Sequence, residues 1–269
     1  MHLLITRPEP DASAMRDTLA AEGITSDVAP LLEITVEAPD DTLLERASAI
    51  VVTSRNGLRA LEASPRLAEL ISRPLLVVGR GSGDAARGIG FRDVVVGPAT
   101  AKELVPLIIA AWREKILPVS GELSSNAMPG PVAHLSGDKI SFDLEPPLTA
   151  AGIPFVRDTV YRSRAATRLP AAVAEALRRG GYDGIILMSP LTADTYVDLV
   201  VGNRLVEGAR AAAYLCLSQG IAGRLAPLDA KHVKVTAKPN IEEMLALIRK
   251  LAAQSPAVSP PGAKSDKTS

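Results

Sequence analysis

Short apolar, β-branched runs alternate with longer polar-and-apolar stretches along most of this 269-residue chain. Leu3–Thr6, Ile50–Thr53, Leu75–Val78 and Val94–Val96 read as strands, as do Val132–Leu135, Ile185–Met188, Ala213–Leu217 and Val233–Val235. Runs without a polar alternation suit strands buried on both faces, as in parallel sheets covered by helices. The stretches between them carry helical periodicity: Asp11–Glu22, Asn56–Ala63, Asp84–Gly88, Ala101–Trp112, Phe142–Ala151, Ala171–Arg179, Thr192–Val200, Ile221–Leu225 and Ile241–Ala252. This alternation predicts an α/β fold with right-handed crossovers. Thr100 with Glu103, and Asn240 with Glu243, each predict a capping box, in which side chain and backbone at the helix start satisfy each other.

The pattern occurs twice. His2–Ile24 returns as Pro131–Ile153, Ala49–Leu61 as Gly184–Leu199, Leu75–Gly90 as Ala213–Pro227 and Val94–Ile108 as Val233–Ile248, each roughly 130–140 residues later. A duplication predicts two similar lobes with a ligand cleft between them. Two extended segments break the alternation, Ile34–Ala38 and Asp158–Ser163, and are expected to form a ribbon between lobes. Pro118–Pro131 reads as a loop insertion and Ala253–Ser269, without apolar periodicity, as a disordered tail.

Composition narrows the chemistry. Lys+Arg and Asp+Glu both number 30, which argues against nucleic-acid binding as the main task. The single cysteine, Cys216, excludes an internal disulfide, and His2, His134 and His232 are too scattered for metal-ligand spacing. No apolar run approaches the roughly 18–20 residues of a membrane span, and MHLLITRPEP lacks signal-peptide architecture. A cytoplasmic protein that needs neither metal nor membrane is expected.

Ligands of open α/β sheets bind where strands end and helices begin. Here those loops are Thr6–Arg7, Thr53–Gly57, Gly79–Gly83, Ser136–Lys139, Met188–Pro190 and Leu217–Gly220, rich in hydroxyls and glycine. Such loops suit anionic groups held by backbone N–H, hydroxyls and helix dipoles, not nucleophilic or metal catalysis. Gly79-Arg-Gly81-Ser-Gly83 fails the dinucleotide spacing, because the third glycine would fall at Asp84. Ser54 and Asn56 either cap the next helix or bind a ligand; Arg7 either pairs on the surface or takes a carboxylate. Tyr161, in the expected ribbon, either packs or donates a hydrogen bond to a departing hydroxide.

TRP near the N-terminus, TSRNG after the second strand, VVG with a Ser-containing turn, VYRS and then MSP occur in the order and spacing of a known family. Over about Met1–Leu251 the chain resembles the uroporphyrinogen-III synthases. The resemblance implies a cofactor-free enzyme of tetrapyrrole synthesis. Its substrate would be hydroxymethylbilane, which carries eight carboxylates and is closed with loss of water and inversion of ring D. The course would run through an azafulvene and a spiro intermediate. It implies Tyr161 as the catalytic donor, with Ser82 and Ser189 as substrate-binding hydroxyls beside Arg7, Ser54, Asn56 and Ser136. The family's paired threonines in the later turn are absent from Leu217–Ile221, leaving Ser218 and the backbone about Gly220 to substitute.

The resemblance also implies interleaved lobes joined by a two-stranded ribbon: residues 1–33 with 164–252, and 38–157, with 34–37 and 158–163 as the ribbon and 253–269 as tail. The chain is read as a monomer that binds no nucleic acid. The alternative is a non-catalytic tetrapyrrole- or anion-binding sensor of the same fold.

Overall fold

Segments such as AIVV, GIIL and AYLC have no polar position to offer water, and each is buried along its whole length. They form the parallel middles of two sheets in the computed structural model, which describes residues 1–113 and 130–254. The first part of the chain runs β1 (His2–Ile5), α1 (Asp11–Ala21), β2 (Thr25–Val28), β3 (Leu32–Val36), α2 (Asp41–Arg46), β4 (Ala49–Val52) and α3 (Arg55–Glu62). It continues α4 (Leu67–Leu70), β5 (Leu75–Val78), α5 (Arg80–Gly88), β6 (Val94–Gly97) and α6 (Ala101–Arg113). Then follow β7 (Val132–Gly137), α7 (Glu145–Ala150), β8 (Phe155–Ala165), α8 (Ala171–Arg178), β9 (Gly184–Leu187), α9 (Pro190–Gly202) and α10 (Val206–Ala209). The last elements are β10 (Ala213–Cys216), α11 (Gln219–Ala222), a 3-10 turn (Gly223–Leu228), β11 (Val233–Val235) and α12 (Ile241–Gln254).

The chain divides into two units, Met1–Leu32 with the chain from Ala165 onward, and Glu33–Arg164. The first holds a five-stranded sheet, β11-β10-β9-β1-β2, parallel throughout. Alternate residues of its strands enter different cores. Leu4, Ile185, Leu187 and Tyr214 pack with Val173 and Leu177 of α8 and Tyr196 and Val200 of α9. Leu3, Ile5, Ile186 and Leu215 pack with Met15 and Leu19 of α1 and Met244 and Ile248 of α12.

The second unit holds a six-stranded sheet, β3-β8-β7-β4-β5-β6. One face, with Ile50, Val52, Leu75, Val77 and Leu135, carries Leu58 and Leu61 of α3 and Ala86 of α5. The other, with Ala49, Val51, Leu76 and Val132, carries Leu104 and Ile108 of α6 and Leu148 of α7. Burying one such Leu or Ile side chain contributes about 1.5–3 kcal/mol, so helices on both faces hold each sheet.

Several elements differ from the sequence expectation. β2 (Thr25–Val28) is a strand the polar sequence TSDV does not announce; at a sheet edge only one side needs pairing, and polar residues are tolerated. α5 starts at Arg80, four residues before the expected start, although glycines 81 and 83 are poor helix formers. Gly83 is there because a Cβ would strike Val96 Cγ2 at 2.5 Å. Of the two capping boxes, Thr100 and Glu103 bond reciprocally (3.3 and 2.9 Å), whereas Asn240 only accepts from Glu243 N at 2.8 Å.

The two extended crossings pair with each other, through Glu37 N to Val160 O (2.8 Å) and Ala166 N to Leu31 O (2.9 Å). Residue numbers rise on one strand as they fall on the other, so the pair is antiparallel. β8 is longer than the expected 158–163 because its first half also pairs parallel with β7, from Val132 opposite Phe155 onward. The crossing is therefore a full strand of the second sheet. Of the expected loop Pro118–Pro131 and tail Ala253–Ser269, all but Gly130, Pro131, Ala253 and Gln254 lie outside the described residues. No helix among the described residues is long and apolar enough to cross a membrane.

Candidate active site

Three serines at strand ends are built alike. Ser54, Ser189 and Ser218 each sit in extended backbone (φ −147°, −145° and −156°) and cap the helix that follows. Ser54 Oγ accepts from Asn56 N (3.2 Å), Ser189 Oγ from Thr192 N (3.1 Å) and Ser218 Oγ from Ile221 N (3.4 Å). A cap satisfies one of the orphan N–H groups of a helix start and leaves the hydroxyl its own proton. Ser189 Oγ additionally shares a hydrogen bond with Thr192 Oγ1 at 2.7 Å. The recurrence of one geometry in both units is the duplication expressed in three dimensions.

In the first unit Arg7 forms an ion pair with Asp11 at 3.0 Å, one helical turn on. Thr6, just before it, is wholly buried and donates to Ile186 O at 2.6 Å. Gly220 lies inside α11 with ordinary backbone, and a Cβ there would find only Ser218 Oγ, at 3.9 Å. Packing does not demand glycine at that turn. Thr236, which the sequence did not single out, donates to Leu217 O at 2.9 Å and ties β11 to the same turn.

The second unit gathers more of the expected residues. Asn56 Oδ1 accepts from Arg59 Nη1 at 2.6 Å. Gly79, at φ +77°, turns the chain from β5 into α5, and Ser82 is half-buried in the first turn of that helix. Arg55, exposed at the start of α3, reaches across: a Cβ on Gly81 would lie 3.0 Å from its Nη2. Arg55 was not a sequence candidate, because only the adjacency of β4 and β5 brings its guanidinium to the glycine loop.

Ser136 is 1% exposed, and its hydroxyl donates to Gly137 O at 3.2 Å, so it faces the interior of the sheet. The register slips just after it, which places Gly137 opposite Tyr161. Tyr161 lies flat over that glycine: a Cβ on Gly137 would lie 2.6 Å from Tyr161 Cζ and 2.9 Å from its hydroxyl oxygen. Asp138 clamps the strand on either side, its N–H donating to Tyr161 O (3.1 Å) and its Oδ1 accepting from Ser163 N (3.0 Å). The hydroxyl of Tyr161 has no hydrogen-bond partner among the described residues, and it is not buried. It is a donor without an acceptor.

The electrostatics exclude two obvious rivals for chemistry. Burial pushes the Cys216 thiol up to about 12, so it is no thiolate at neutral pH. His134, on β7, is pushed down to about 4, first by burial and then by the Arg157 guanidinium, with Asp143 opposing. The unfolded chain takes up that proton near 6.5 and the folded chain near 4, so protonation favours unfolding. Its contribution is intact above pH 6.5 and is lost as pH falls towards 4, by about 3 kcal/mol in all. Urea midpoints at pH 7 and 4.5 should therefore differ more for wild type than for His134→Phe; equal differences would refute this account.

The loops thus present backbone donors, hydroxyls and guanidinium groups, with one half-buried phenol on β8, a set suited to a polyanionic substrate that supplies its own reactivity. Residues 13–246, which span both units, match the family model described as uroporphyrinogen-III synthase HemD. The fold is similar to that of the Helicobacter pylori 26695 uroporphyrinogen-III synthetase, with TM-score 0.57 and 17% identity over 93% of this chain and 99% of that one. A mutant uroporphyrinogen III synthase from the extremely thermophilic bacterium Thermus thermophilus is similar at TM-score 0.56 and 18% identity, over 95% of this chain and 100% of that one. No curated protein matches the chain. With the family model covering most of the chain, this protein belongs to the uroporphyrinogen-III synthase family.

Proposed function

We propose that the synthase reaction runs at the strand-end loops around Tyr161. The observation that carries this reading is the unpartnered Tyr161 hydroxyl, held over Gly137 by the register slip. The substrate, hydroxymethylbilane, loses its hydroxymethyl oxygen as the C–O bond breaks, with the pyrrole nitrogen lone pair pushing and an azafulvene forming. Tyr161 donates its hydrogen bond to the departing oxygen, which lowers the charge that builds there. Ring closure through the spiro intermediate then needs the chain held in place, since the unguided reaction gives the unrearranged isomer.

The substrate's carboxylates are assigned to the loop donors: Ser54, Asn56 and Ser82 with Arg55 in the second unit, and Arg7, Ser189, Ser218 and the backbone at Gly220 in the first. Ser136, turned inward, acts by shaping the strand that carries Gly137. The two units are taken as the two lobes, and the enzyme as a cytoplasmic monomer without a cofactor. The sensor alternative is not favoured by the family match.

Purified protein added to enzymatically generated hydroxymethylbilane should yield the rearranged isomer III faster than spontaneous closure yields isomer I. Isomer I alone, at the spontaneous rate, would overturn the reading.

A further inference from the structure

His134 belongs to no motif, yet it sits in the middle of the second sheet, 1% exposed, with its ring 6.2 Å from that of Phe155. Its Nε2 lies 3.2 Å from Thr53 Oγ1 on the neighbouring strand end. Its Nδ1 is buried and has no hydrogen-bond partner. A neutral imidazole carries one N–H, and the two nitrogens compete for it. On Nδ1 the proton would be a buried donor with nothing to receive it. On Nε2 it meets the Thr53 oxygen, and Nδ1 keeps only a bare lone pair, the cheaper of the two deficits. His134 therefore donates and Thr53 accepts.

That direction matters for Thr53. With its oxygen already accepting from His134, the hydroxyl proton is left to donate elsewhere, and no other hydrogen bond of this side chain exists among the described residues. Thr53 is half-buried, directly after β4 and directly before the Ser54 cap, at the end of the strand where the substrate's carboxylates are assigned. Thr6, at the end of β1 in the first unit, shows another outcome: its proton goes to the carbonyl of Ile186 and the side chain is wholly buried. With the histidine behind it, the Thr53 hydroxyl proton stays free to donate.

We propose that His134 is a positioning residue that holds the Thr53 hydroxyl as a hydrogen-bond donor to a substrate carboxylate, a proposal resting on the reading that these loops bind hydroxymethylbilane. Thr53 touches the substrate; His134 acts only through it.

Steady-state kinetics of wild type, Thr53→Val, His134→Phe, His134→Gln and the Thr53→Val/His134→Phe double variant test this, each checked for a wild-type circular dichroism spectrum. A hydroxyl donor to a carboxylate is worth on the order of tenfold in binding, so Thr53→Val should raise KM about tenfold with kcat changed less than about twofold. His134→Phe should raise KM by about three- to tenfold, and His134→Gln, whose amide donor reaches the same place, should recover most of that loss. The double variant should match Thr53→Val alone. Multiplying effects in the double variant, or an unchanged KM in His134→Phe, would overturn the proposal. Nitrogen-15 NMR of histidine-labelled wild type without substrate reads the tautomer directly and does not depend on any variant folding. Nε2–H at His134 is expected, and Nδ1–H overturns the proposal even if the enzyme is fully active. Failure of the underlying reading shows separately, as wild type that yields isomer I alone.

Discussion

Tyr161→Phe is expected to lower kcat about 100-fold, with KM and melting temperature close to wild type. A positioned proton or hydrogen-bond donor contributes on the order of 10²–10⁴ in rate, and a neutral phenol belongs at the lower end of that range. The small effect on stability follows from the structure. The ring packs against the core beneath β8 and over Gly137, and phenylalanine keeps that ring. The hydroxyl it loses has no protein partner among the described residues, so no buried group is orphaned by its removal. Initial rates of hydroxymethylbilane consumption, corrected for spontaneous closure, and a thermal melt measure both halves. A variant with full kcat would return Tyr161 to a packing role.

Gly137→Ala is expected to cost nearly as much activity while leaving the phenol chemically intact. The added methyl would lie 2.6 Å from Tyr161 Cζ and 2.9 Å from its oxygen, well inside van der Waals contact. The glycine cannot retreat, because Ser136 on one side of it is paired with Thr159 of β8 and Asp138 on the other donates its N–H to Tyr161 O. The ring must therefore move, and a displacement of the order of 1 Å at a reacting group costs roughly 100-fold in rate. Overpacking a tight site also destabilises by about 1–3 kcal/mol, which a urea denaturation midpoint will show. Adding Tyr161→Phe to Gly137→Ala should reduce kcat little further, since both remove the same donor. Wild-type kcat in Gly137→Ala would mean that the orientation of the ring is unimportant.

Why some of this was legible in the sequence, and some not, follows from the range of the forces involved. The strand-end serines are local devices: Ser54, Ser189 and Ser218 cap helices that begin at the next residue, so residue type and position suffice to find them. The same holds for Thr100 with Glu103, which satisfy each other within one helical turn. Where a local rule was overridden, a partner distant in the chain did it. Gly83 stands in α5 because Val96 approaches it closely. β2 forms from polar residues because β1 offers it a parallel edge.

The candidate site divides in the same way. Tyr161 was legible as a rare aromatic in an extended crossing, and the hydroxyl- and glycine-rich turns as anion-binding loops. Ser136 was legible as a strand-end hydroxyl but not as an inward-facing one, because which face a strand residue presents depends on the register with β8. Thr53 and Arg55 were legible only as part of the loop Thr53–Gly57, and His134 not at all: the partners of Arg55 and Thr53 are 26 and 81 residues away.

The amino-acid order by itself determined the α/β alternation, the duplication and the chemical character of the loops, since buried runs, helix periodicity and capping are set within a few residues. Only the tertiary structure decided that a register slip sets Tyr161 over Gly137, and that a buried imidazole faces Thr53. Both arise from strands meeting side by side, where a shift of one residue changes which groups touch, and no local pattern encodes that pairing.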